Sequence, residues 1–139
     1  MTPRLLVLTA LGVSSLTAGA PSTEELSNAY SRAVSAWGME PKGVVVRTAP
    51  LGSCETGAMV AWSDFVTREI VINSSCHWDT RWLRTIVAHE VGHMLHGQGH
   101  STNRHSVMFP APMRTAAWQF FDTPHVTRAD RGLAVVEYQ

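Results

Sequence analysis

Between residues 26 and 37 the apolar side chains Leu26, Ala29, Tyr30, Ala33, Val34 and Trp37 recur three and four apart, the spacing of one helix face. Ser22 or Thr23 can cap that helix, Glu24 and Glu25 suit the positive end of its dipole, and Gly38 stops it. The pattern then changes period. Residues 43–47 form a β-branched run that reads as a strand, and Pro50, Gly52 and Ser53 mark a loop. Residues 58–62 and 69–73 read as two further strands, a hairpin joined through Ser63 and Asp64. Helical spacing returns with Leu83, Ile86, Val87, Val91 and Met94, opened by Asp79 or Thr80 and ending near Gly97. An irregular, proline-containing stretch runs from Ser101 to about Val126. Thr127 with Asp130 three residues later then resembles a capping box, opening a last helix that carries Leu133 and Val136. Helix, strands, helix, long loop, helix is the order of an α+β domain: a small mixed or antiparallel β-sheet packed on helices.

At its amino end the chain carries a different kind of apolar run. Leu5, Leu6, Val7, Leu8, Leu11, Val13 and Leu16 follow Arg4, and Ala18-Gly19-Ala20 resembles a signal-peptidase site, with cutting after Ala18 or Ala20. The run is shorter than the roughly 20 residues a membrane span needs. Residues 1–20 are therefore read as a signal peptide and 21–139 as one domain, and the protein is expected to be secreted. An ordinary amino-terminal helix or anchor is the other reading.

Composition narrows the picture. The chain has 139 residues, 45% of them hydrophobic and 16% charged, with no formal net charge. That suits one globular domain, and no lysine–arginine cluster points to nucleic acid. A monomer is expected. Cys54 and Cys76 bracket the hairpin, so in an exported protein they are expected to pair; two buried thiols or two metal ligands are the alternatives. The five tryptophans are scattered and read as packing residues, while seven histidines favour metal binding.

Those histidines meet a motif. His89-Glu90-Val91-Gly92-His93 lies on the second long helix, where residues four apart stand on one face about 6 Å apart along the axis. Two imidazoles so placed can share a zinc ion, and Glu90, turned about 100° from His89, can act as general base without being a ligand. The alternative is a polar helix face without a metal. A catalytic zinc needs a third protein ligand. His96 lies about 10.5 Å along the helix from His89, too far to share the ion. His100 follows Gly97 and Gly99, which can turn the chain back toward the metal. His77, His105 and His125 are read as surface or hydrogen-bonded residues.

The run from His89 to His100 resembles the extended zinc signature of the metzincin metallopeptidases. His100-Ser101-Thr102-Asn103, followed by Ser106-Val107-Met108-Phe109-Pro110, is similar to the matrixin branch. The family spacing is H-E-x-x-H-x-x-G-x-x-H; here His96 stands at the glycine position and one extra residue precedes His100. Either the helix runs one residue longer or the glycine turn widens. The resemblance implies a secreted zinc peptidase with His89, His93 and His100 as ligands and Glu90 as base. It implies Met108 as the methionine packed under the metal, and a peptide or protein substrate. It further implies a substrate pairing with an edge strand, for which 69–73, with Ile70, Val71 and Ile72, is the candidate. Residues 109–116, beginning with Phe109 and Pro110, would form a pocket wall. The calcium and second zinc sites of matrixins cannot be placed on this chain residue by residue, and no cysteine-switch segment is seen. The competing expectation is a zinc-binding domain that binds peptides without cutting them.

Overall fold

The structure, a computed structural model, describes residues 19–54, 59–97, 99–103, 106–108 and 126–131. The apolar run read as a signal peptide, the segment 109–125 with Phe109 and Pro110, His105, and the body of the last helix lie outside the described residues. Among the described residues no helix is long and apolar enough to cross a membrane.

Helix α1 (Thr23–Trp37) begins at the capping box formed by Ser22 and Glu25 and ends at Gly38, whose left-handed φ of 76° closes it. It buries Leu26, Ala29, Ala33 and Trp37, the face that the periodicity predicts. Strand β1 (Val45–Ala49) sits two residues later than the β-branched run suggests. Strands β2 (Ala61–Asp64) and β3 (Glu69–Asn73) follow. Ser63 and Asp64, expected in a turn, belong to β2. The turn comes later because the Asp64 carboxylate accepts the backbone N–H groups of Val66 (2.9 Å) and Thr67 (3.0 Å), a local loop that competes successfully with a tighter hairpin. Helix α2 (Thr80–His96) starts at Asp79, which accepts from the Trp82 amide, and ends at Gly97.

The fold is α+β, with a mixed three-stranded sheet in the order β1-β3-β2. β1 runs parallel to β3, pairing Val46 with Ile70 and Thr48 with Ile72; β2 runs antiparallel, pairing Ser63 with Ile70 and Ala61 with Ile72. This corrects one expectation. Residues 69–73 are not an edge: both sides of β3 are hydrogen-bonded, and Ile70, Val71 and Ile72 are at most 1% exposed. Their continuous apolar run is what a strand covered on both faces requires. They therefore cannot receive a peptide by strand addition; among the described residues the edge beside α2 is β2.

Side chains alternate along a strand, so one contact orients the whole sheet. Ser63 reaches Glu90 of α2, which places Ala61, Ile70, Ile72 and Val46 on the helix side and Trp62, Val71 and Arg47 on the other. α1 and α2 pack against each other, with α1 reaching β1 and α2 reaching β2 and β3. Cys54 and Cys76 form a disulfide with Cα atoms 4.9 Å apart, joining the loop before β2 to the segment after β3. Asn73 completes that anchor. Its fully buried side chain donates to the carbonyls of Gly52 and Met59 and accepts from the amides of Leu51 and Ser75.

Candidate metal centre

Helix α2 supplies two of the three imidazoles. Its apolar stripe is buried against α1 and the sheet, and His89 and Glu90 go into the interior with it, 2% and 6% exposed. His93, one turn further on, is half-buried. The helix then runs to His96, and Gly97 turns the chain with φ 79° and ψ −140°. His100 comes back from that turn, and the ring nitrogens of His89, His93 and His100 lie within 4.8 Å of one another.

The hydrogen bonds of the first two rings decide which nitrogen faces inward. Nδ1 of His89 lies 2.7 Å from the carbonyl oxygen of Val107, and Nδ1 of His93 lies 3.0 Å from that of Gly97. A carbonyl can only accept, so both Nδ1 atoms carry the proton and both Nε2 atoms present a lone pair. Yet Nε2 of His93 is 3.0 Å from Nε2 of His89 and 3.1 Å from Nε2 of His100. Two lone pairs at that distance repel unless a cation lies between them. A tetrahedral zinc with bonds of about 2.0–2.1 Å holds its nitrogens about 3.3 Å apart, so the cluster has the size and donor chemistry of a zinc site. Burial pushes the His89 imidazole down to about 3, helped by the neighbouring His93 charge, and burial pushes His93 to about 4. Both are thus neutral, the ligand form, at physiological pH.

The floor of the site is the loop after α2. Met108, 1% exposed, lies against Gly92 on the helix turn between the two histidines; a Cβ there would overlap the Met108 sulfur and stand 2.5 Å from Cζ2 of Trp37. Its carbonyl accepts from the Ser101 amide at 2.9 Å, tying the segment that carries His100 to the same floor. The Ser106 hydroxyl donates to the buried Asp130 carboxylate and accepts from the Met108 amide. Asp130 in turn accepts from the Thr127 amide, and Thr127 Oγ1 accepts from the Asp130 amide. The expected capping box at 127–130 is therefore present and doubles as a brace for the floor.

Glu90 stands beside the histidines rather than among them. Burial pushes its carboxyl up to about 7, against the opposing pull of a hydrogen bond from Ser63. Ser63 Oγ lies 2.5 Å from Glu90 Oε2 and 3.1 Å from the Glu90 carbonyl oxygen. Sequence reasoning missed Ser63 because it assigned it to a turn; the alternation Ala61, Ser63 inward and Trp62, Asp64 outward was the available signal. It missed the Val107 and Gly97 carbonyls for a plainer reason, since a backbone acceptor leaves no mark on residue identity.

His96 stands outside the cluster, as its spacing along the helix requires, and is buried beside it. It is 6% exposed, its ring centroid 5.8 Å from that of Trp37 and 6.4 Å from that of His93, with Gly99 packed against it. His77 is exposed and stands outside the cluster. Neither the protein-family models nor the curated proteins contain a match to this chain, so its likeness to the metzincins rests on the motif residues and on the convergence of His89, His93 and His100.

Proposed function

We propose that the protein is a secreted zinc peptidase. The observation that carries this reading is the convergence of three imidazole nitrogens, two of them fixed as lone-pair donors by carbonyl partners, next to a buried carboxylate that is not one of them. His89, His93 and His100 would hold the ion. A bound zinc ion supplies Lewis acidity, lowering the pKa of a coordinated water to about 7 and polarising a carbonyl.

The chain's own residues do the rest. Glu90 takes a proton from the attacking water as the new C–O bond forms, and returns it to the amine nitrogen as the C–N bond breaks. Burial raises the proton affinity of its carboxyl, which suits a group that must take up a proton and give it back. The substrate would lie extended along β2, which has β3 on one side and no strand on the other among the described residues. A chain added there runs past Ser63, and hence past Glu90.

The test is to incubate folded, zinc-loaded protein with an unbiased peptide library and read cleavage by mass spectrometry, beside Glu90→Ala. Cuts that disappear in Glu90→Ala and on chelation support the peptidase. A zinc-loaded protein that binds peptides and cuts none would make it a binding domain instead.

A further inference from the structure

Most of the polar groups around the site have a structural explanation, and one does not. Ser63 lies on the edge strand β2, whose only strand partner among the described residues is β3. It does not join the sheet face as a packing residue. Its hydroxyl has a single proton, and the nearer of its two acceptors is Oε2 of Glu90 at 2.5 Å; the Glu90 carbonyl at 3.1 Å is the more distant alternative. Glu90 itself is 6% exposed, and Oε1 has no protein partner among the described residues.

We propose that Ser63 is the positioning residue of the general base: by holding Oε2 it fixes the carboxylate and leaves Oε1 as the proton-transferring oxygen. This rests on the peptidase reading. A carboxylate with two equivalent oxygens on a three-torsion side chain has several ways to point, and a hydroxyl bound to one of them removes most of them. The donor comes from the strand along which substrate would lie, so base and substrate share one reference frame.

Three variants test the role. In Ser63→Ala, kcat should fall roughly ten- to hundredfold, the scale of a misplaced catalytic group, with KM and zinc affinity unchanged. Ser63→Thr keeps the hydroxyl and suits a strand, and should restore most of the rate. In a Glu90→Asp background, which keeps a carboxylate base but draws it back from Ser63 by one methylene, Ser63→Ala should cost little further, since a residue that acts through Glu90 has lost its hold there. A readout independent of turnover is the carbon-13 resonance of the Glu90 carboxyl in metal-free protein, which should move in Ser63→Ala. An unmoved resonance, a rate loss that persists in full in the Glu90→Asp background, or a rise in KM with kcat intact would each overturn the positioning role. Wild-type protein that is zinc-loaded and cuts no peptide would sink the peptidase reading itself, while the resonance still reports whether the hydrogen bond exists.

Discussion

Two glycines of α2 and its turn are needed for opposite reasons. At Gly97 a Cβ would meet nothing within 4 Å, but φ 79° with ψ −140° belongs to a region that only glycine occupies at low cost. Gly97→Ala should therefore cost about 1–3 kcal/mol and, because His100 hangs from that turn, weaken zinc binding; competition titration with a chromogenic chelator measures it. At Gly92 the backbone is ordinary helix and the space is missing. Met108 can give way, but Trp37 is pinned by its indole N–H donating to the Ala88 carbonyl at 2.8 Å. Gly92→Ala should cost about 1–3 kcal/mol in urea unfolding, while leaving the Nδ1 partners of both histidines in place. At this scale the sequence was legible wherever spacing alone sets geometry: His89, Glu90 and His93 follow from the helix, and His100 from the glycines behind it. Ser63 and the Val107 carbonyl were not, since they reach the site through tertiary packing.

Among the elements, the two helices and β3 were readable because each carries a long run with one period, while the short strands slipped. β2 was placed three residues early because Asp64 looks like a turn residue; it is one, but it caps the following turn from inside the strand. Strand order was beyond reach. A run of β-branched residues says that both faces are covered, and does not say that both edges are paired. The elements around β2 also depend on the disulfide, which closes a loop of 22 residues. Replacing Cys54 and Cys76 together by alanine should lower stability by about 3 kcal/mol in guanidinium unfolding. Asn73, with its four side-chain hydrogen bonds, should hold the same loop well enough that metal binding survives the loss.

Across the whole molecule the site is a set of buried titratable groups, so folding without metal must depend on pH. The unfolded chain takes protons on His89 and His93 near pH 6.5, whereas the folded chain takes them near 3 and 4. Glu90 works the other way: it binds its proton near pH 7 folded and near 4.5 unfolded. Between pH 6.5 and 4.5 the unfolded state therefore holds about one more proton in net, and stability of the metal-free protein should fall by about 1.4 kcal/mol per pH unit. Glu90→Gln removes the offset and should roughly double that slope in urea melts across the window. Zinc at about a hundred times its dissociation constant should add about 2.7 kcal/mol at neutral pH, and that gain should fade on acidification as protons displace the metal.

The glycine turn also sets where the chain can change length. The two helix histidines are locked to each other by four residues of α2, where any insertion would swing one imidazole by about 100°. The third histidine arrives on a segment held at its far end by Ser101 and Met108 and released at its near end by Gly97. The helix itself runs on to His96, whose ring sits beside Trp37, before the turn begins. A residue added or removed between the second and third histidines should therefore leave the three rings able to converge, whereas the same change between the first and second should scatter them.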